Sequence, residues 1–239
     1  MLGIGALLLV VAGPLAWSAP ATTRAAEPVS APVAVQTDSA TEFVAFGDSL
    51  TSGYLNPGPS WPVRLDSKRT DLRLVHNGGV PGDTTKDMLA RIDKDVYAYA
   101  PQLLIIFAGL NDLSKCKAVD SIVTNIKTMV AGAYEHGTRR IVLILNSHVT
   151  PMNGQNGHFC GRTVHDNIDR LDEALLAYGA SAGIQTIDLR PVLDTDGQYT
   201  PAYLLPDHVH FNSTGVERVT AAIDDQLSAG FNRNLRGAR

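Results

Sequence analysis

The stretch EFVAFGDSL at residues 42–50 decides how this chain is read. Its first half, 42–46, is a short apolar run rich in aromatic and β-branched residues and closed by a glycine, which predicts a buried strand. Its second half, Gly47-Asp48-Ser49-Leu50, sets a serine three residues beyond Phe46. That is a strand-to-helix turn, where the hydroxyl can point out of the sheet edge and helix amides can stabilise negative charge. Alone, these four residues say little, because Asp48 or Ser49 can equally well cap a short helix.

Four more short apolar runs follow: LRLVH at 72–76, LLIIFA at 103–108, IVLILN at 141–146 and IQTIDL at 184–189. Between them, apolar residues recur at helical spacing: Met88, Ile92 and Val96; Ile122, Ile126 and Val130; then Val164, Ile168, Leu171, Leu175 and Tyr178. A last helix is expected to start at Asn212 or Ser213, either of which can cap it. Strands alternating with helices predict a three-layer α/β/α domain over 42–232 with a five-stranded parallel sheet. In such sheets the ligand site lies beyond the carboxyl ends of the strands.

The 239 residues suit one domain, and 44% hydrophobic against 18% charged residues excludes disorder. A formal net charge of -4 supplies no basic footprint for nucleic acid. Residues 1–17 carry no charged side chain, and Ala19-Pro20-Ala21 offers a cleavage triplet. We read 1–26 as a signal peptide and 27–41 as a flexible linker, so the chain is expected to be exported and to keep no membrane anchor. The rival is a retained signal anchor, for which the apolar run is short and broken by Gly13-Pro14. Cys116 and Cys160 would meet oxidising conditions outside the cytoplasm and are expected to pair, two buried free thiols being the alternative.

The chemistry sits in four blocks, each after a predicted strand. A serine hydroxyl needs a base, the base an orienting group, and the oxyanion fixed donors. Ser49 is the candidate nucleophile. In NGGVPGDTT at 77–85, Gly82 lets a backbone amide approach an oxyanion just before a helix capped by Asp83 or Thr84, while turn geometry accounts for Gly78 and Gly79. Asn111 follows the most apolar strand and can donate its side-chain amide, with Asp48 and Asp112 as structural braces. Asp207 precedes His210 by three residues, so one turn of chain can bring the carboxylate onto the imidazole. His208 and His210 with Asp207 could instead bind a metal, but no further ligand cluster of recognisable spacing accompanies them, and neither metal nor cofactor is expected. Asp194-Thr195-Asp196-Gly197 lacks the remaining ligands of a calcium loop and reads as a turn.

These blocks, in this order, resemble the SGNH (GDSL) hydrolases, with spacing similar to the bacterial lysophospholipase and thioesterase I branch. The resemblance implies a flavodoxin-like fold with Ser49 as nucleophile, His210 as base and Asp207 as orienter. The oxyanion hole would comprise the Ser49 and Gly82 amides and the Asn111 side chain. Phe211 departs from the proline or small apolar residue often found after the histidine, which bears on pocket shape. A conventional α/β-hydrolase elbow is disfavoured by Thr51 where glycine is needed. The expected activity is hydrolysis of a small-molecule acyl ester or lipid by a monomer, through an acyl-serine intermediate. Removal of acetyl groups from carbohydrate and a catalytically silent lipid- or carbohydrate-binding module are the alternatives. The glycine-rich segment 146–162 is expected to lie over the pocket.

Overall fold

The computed structural model describes residues 40–149, 158–195, 198, 199 and 201–237. The expected signal peptide and nearly all of the linker lie outside the described residues. Five strands, β1 (Thr41–Gly47), β2 (Leu72–Gly79), β3 (Leu103–Phe107), β4 (Arg140–Ile144) and β5 (Gln185–Ile187), make one sheet in the order β2-β1-β3-β4-β5. Every neighbouring pair is parallel. Phe43 to Phe46 of β1 and all of β3 are buried, as continuous apolar runs demand of strands covered on both faces.

The helices are α1 (Ser49–Ser52), α2 (Trp61–Lys68), α3 (Thr85–Asp95), α4 (Leu110–Ser114), α5 (Val119–Glu135), α6 (Val164–Ala182), α7 (Arg190–Leu193) and α8 (Ser213–Gly237). Leaving β1 the chain steps to one side through α2, then returns across β1 and goes on to β3, β4 and β5 through α3, α5 and α6. Because parallel crossovers are right-handed, opposite steps put their helices on opposite faces. Accordingly α3, α5 and α6 pack in a row, while α8 packs on α2. The strand order reverses between β1 and β3, and a crevice opens beyond their carboxyl ends.

Local sequence sets the helix ends. Thr84 and Asp87 form a reciprocal capping box at α3, whose stripe buries Met88 and Ile92. Asn212 accepts from the Gly215 amide and so caps α8, which continues past residue 232. Gly78 and Gly79 were expected in a turn but finish β2 instead. The reason is close approach: a Cβ on Gly79 would collide with the Ser52 backbone, and one on Gly78 would lie 2.9 Å from the Phe46 ring.

Cys116 and Cys160 are joined, with Cα atoms 5.4 Å apart, 44 residues apart in sequence. Closing a loop of that length stabilises by about 4 kcal/mol on the chain-entropy account. Of segment 146–162, residues 150–157 lie outside the described residues. At its root Asn146 and Ser147 are buried, and the Asn146 amide donates to Asp172 on α6 at 3.0 Å. Asp194-Thr195 pairs with Gln198-Tyr199 in a short ribbon; Asp196 and Gly197 lie outside the described residues.

Asp172 is fully buried, and its second oxygen has no hydrogen-bond partner among the described residues, the Arg190 guanidinium standing 4.0 Å away. Burial pushes this carboxyl up to about 8, against the Asn146 amide and Arg190, which pull it down. Between its ordinary value of 3.8 and about 8 the folded chain holds a proton that the unfolded chain has released. The contribution to stability is therefore fully present below 3.8 and lost as pH rises through about 8. Thermal unfolding at pH 5 and pH 8.5 should show a drop in Tm that becomes smaller in Asp172→Asn; an equal drop in both proteins contradicts this.

Candidate active site

Ser49 opens α1 at the end of β1. Asp48 caps that helix, its Oδ1 accepting from the Leu50 amide at 2.9 Å. The cap fixes the turn and leaves the Ser49 amide at a helix start, where no intrahelical acceptor exists for it. On the far side of the crevice Asp207 closes a tight turn on itself. Its Oδ1 accepts from the Val209 and His210 amides, each at 3.0 Å. Its Oδ2 lies 2.6 Å from His210 Nδ1, and His210 Nε2 lies 2.8 Å from Ser49 Oγ. Burial raises the Asp207 carboxyl, but the two amides and the imidazole outweigh it and hold the group below its ordinary value. An ionised Asp207 requires the proton on Nδ1, which leaves the Nε2 lone pair to accept from the Ser49 hydroxyl. A chain from carboxylate to imidazole to hydroxyl is thus complete in the resting molecule.

Gly82 lies in the loop between β2 and α3 with φ of 85°, a left-handed conformation that a side chain would oppose. Its amide is used in none of the turn, loop or cap hydrogen bonds among the described residues. Asn111, on α4 beyond β3, donates its side-chain amide to Asp48 Oδ2 at 3.1 Å and to the Asp83 carbonyl at 3.0 Å. The four sequence blocks therefore meet at the strand-order reversal, with Asn111 linking the first to the second. Lys115 Nζ reaches the Gly82 carbonyl at 2.9 Å and grips the same loop from the other end of α4.

The two expected braces differ in what they hold. Asp112 accepts from the Thr85 amide at 2.8 Å and the Thr85 hydroxyl at 2.7 Å, tying α4 to the start of α3. Asp48 is buried near the carboxylates of Asp112 and Asp83; burial and their repulsion lift it to about 7, against the pull of the Leu50 amide. His208 is exposed in a left-handed conformation with φ of 60°. Among the described residues no group of three His, Cys, Asp or Glu side chains is arranged to hold a metal ion. Phe211, expected to shape the pocket, is buried in the core and paired across a bridge with Leu204, so its bulk is taken up in packing.

Sequence reasoning missed two residues. Arg91 of α3 donates to the Gly47 and Gly78 carbonyls, each at 2.9 Å, to Asp83 at 2.6 Å and to Asp95 at 2.8 Å. Tyr54 sets its ring edge-on to the His210 imidazole, with centroids 5.1 Å apart. The only signal for Arg91 was an arginine beside the apolar stripe of α3; for Tyr54 it was an aromatic residue five places beyond the serine.

The profile of the GDSL-like lipase/acylhydrolase family matches residues 45–218, and the chain belongs to that family. An arylesterase of Vibrio mimicus is 30% identical over 122 residues, covering 48% of this chain and 58% of that protein. Thioesterase 1/protease 1/lysophospholipase L1 of Escherichia coli strain K12 is 31% identical over 75 residues, covering 31% of this chain and 36% of its own length. The chain thus spans roughly a third to three fifths of these curated relatives. The crystal structure of the lipase/acylhydrolase from Enterococcus faecalis superposes with a TM-score of 0.66 at 28% identity, covering 79% of this chain and 96% of that one.

Replacing Arg91 by Met removes a cation whose carboxylate partners are nearly buried, a change that costs about 3 kcal/mol in comparable settings. Chemical denaturation of Arg91→Met should show a loss of that size; a loss within about 0.5 kcal/mol, as for an ordinary surface site, would contradict it.

Proposed function

We propose that this member of the GDSL-like lipase/acylhydrolase family is an exported carboxylic ester hydrolase working through an acyl-Ser49 intermediate. The observation that carries the proposal is the continuous relay from Asp207 through His210 to Ser49, with separations of 2.6 Å and 2.8 Å. In the first half-reaction Ser49 Oγ bonds to the ester carbonyl carbon as its proton passes to His210 Nε2. The carbonyl oxygen becomes an oxyanion, received by the Ser49 and Gly82 amides and the Asn111 side chain. Collapse breaks the bond to the leaving oxygen, which takes the proton from His210 and departs as the alcohol. In the second half, His210 draws a proton from water, whose oxygen bonds to the acyl carbon; the acid leaves and Ser49 Oγ recovers its proton.

In this scheme Asn111 must share with the oxyanion an amide hydrogen that at rest serves Asp48 or the Asp83 carbonyl. Asp207 supplies the fixed tautomer and stabilises the imidazolium without itself taking the proton. Export is supported by the uncharged apolar start of the sequence and by the Cys116 to Cys160 pairing, which persists in oxidising compartments. Mass measurement of protein recovered outside the cytoplasm should give a chain shortened within its first 26 residues; recovery only inside cells would contradict export.

Replacing Ser49 by Ala should abolish turnover of p-nitrophenyl acetate while leaving the unfolding midpoint unchanged within a few degrees. Asp207→Asn should lower kcat by about 10⁴, the scale seen when a triad carboxylate can no longer fix the imidazole tautomer. Retained turnover in Ser49→Ala would dismiss the mechanism, and near-normal kcat in Asp207→Asn would dismiss the assigned orienter.

A further inference from the structure

After α1 the chain turns sharply: the Asn56 amide donates to the Gly53 carbonyl at 3.1 Å, closing a β-turn with Tyr54 and Leu55 at its centre. Leu55 takes the third position with φ of 63°, where turns of this hand call for glycine or asparagine. A leucine there is unfavourable for the backbone, and at 58% exposure it gains little burial within the protein in exchange. Backbone strain of this kind gathers at ligand sites. The turn is also tied to the nucleophile and the base. The Tyr54 amide donates to the Ser49 carbonyl at 3.1 Å, and its ring meets the His210 imidazole edge-on. Asn56 Oδ1 accepts from the Gly58 amide at 2.9 Å and from Ser213 Oγ at 3.4 Å, three residues beyond His210. Val80 is a further exposed apolar side chain in the loop that carries Gly82, its amide anchored on the Gly47 carbonyl at 3.1 Å. Residues 53–58, GYLNPG, contain no charged side chain. A phenol ring alone can face either a sugar or a hydrocarbon chain, but here it is followed by an exposed isobutyl group, which offers a sugar no hydrogen bond.

We propose that Tyr54 and Leu55 form the apolar wall that receives the hydrocarbon part of the ester, so that the enzyme selects medium-length acyl chains over acetyl groups carried on carbohydrate. The wall stands beside the imidazole, so an acyl chain leaving the carbonyl on Ser49 can lie along the Tyr54 ring and cover Leu55. Burying that side chain against a substrate supplies the free energy that its position in the turn withholds. This inference rests on the acyl-Ser49 reading and concerns only what the site selects.

The test compares kcat/KM for p-nitrophenyl octanoate, kept below its critical micelle concentration, with that for p-nitrophenyl acetate. Leu55→Gly and Leu55→Asn both suit the left-handed position, so both should fold at least as stably as the native chain. In each, the octanoate-to-acetate ratio should fall about tenfold, the scale of a partly buried leucine side chain. A ratio unchanged within twofold overturns the proposal, including the case in which both substrates suffer equally from a general defect. A ratio unchanged below the critical micelle concentration that falls only when the octanoate is also assayed above it overturns the proposal in favour of docking on a lipid surface. Faster hydrolysis of an acetylated xylo-oligosaccharide than of octanoate by the native chain overturns it in favour of deacetylation. None of these results touches the acyl-serine reading, which is tested separately by the loss of activity in Ser49→Ala.

Discussion

One guanidinium holds the strand ends together. Arg91 donates to the last carbonyl of β1, to a carbonyl at the end of β2 and to Asp83 in the following loop, with its cation over the face of Phe46 at 4.6 Å. Carboxyl ends of parallel strands direct carbonyls into the crevice, each with two lone pairs to satisfy; that of Gly47 takes the Val80 amide at 3.1 Å and the Arg91 guanidinium at 2.9 Å. A rigid fork of donors can serve several at once in a way that a lysine ammonium cannot. Ser49 sits two residues beyond one of these carbonyls and Gly82 four beyond the other, so both inherit their placement from this contact. The charge itself is offset by Asp83 and Asp95.

Two aspartates in the same crevice then acquire different characters from their surroundings. Asp207 collects two backbone amides and an imidazole, which keeps it ionised and able to orient His210. Asp48, next to the serine in sequence, lies deeper and faces like charges, so its carboxyl is lifted to about 7. Its role is to hold Leu50 and Asn111, and hence the turn that presents Ser49. Environment rather than residue type separates the orienter from the brace.

β1, β3 and β4 were legible because each writes a near-continuous apolar run, and α3, α5 and α6 because their stripes return every three or four residues, whereas the short α2, Trp61–Lys68, carried no such stripe and was not expected. All five expected strands form, and Ser49, Gly82 and Asn111 lie just past the carboxyl ends of β1, β2 and β3, while Asp207 and His210 reach Ser49 from a turn well beyond β5. What escaped the sequence has physical causes. The end of β2 was taken for a turn because Gly78 and Gly79 carry no side chain to mark a strand; the close approach of Ser52 and Phe46 explains them only in three dimensions. Arg91 finds its Gly47 partner 44 residues earlier, beyond the reach of any helical pattern. Phe211 was assigned to the pocket from its place beside His210, but the chain reverses there and turns the ring inward.

The central claim is that Ser49 is made nucleophilic by His210 and Asp207. A fluorophosphonate reacts with a serine only when a base activates it, so labelling followed by peptide mapping reads that property directly. The account predicts a single adduct on Ser49, formed by the native chain and absent from His210→Ala. No adduct, an adduct on another residue, or undiminished labelling of His210→Ala would contradict it.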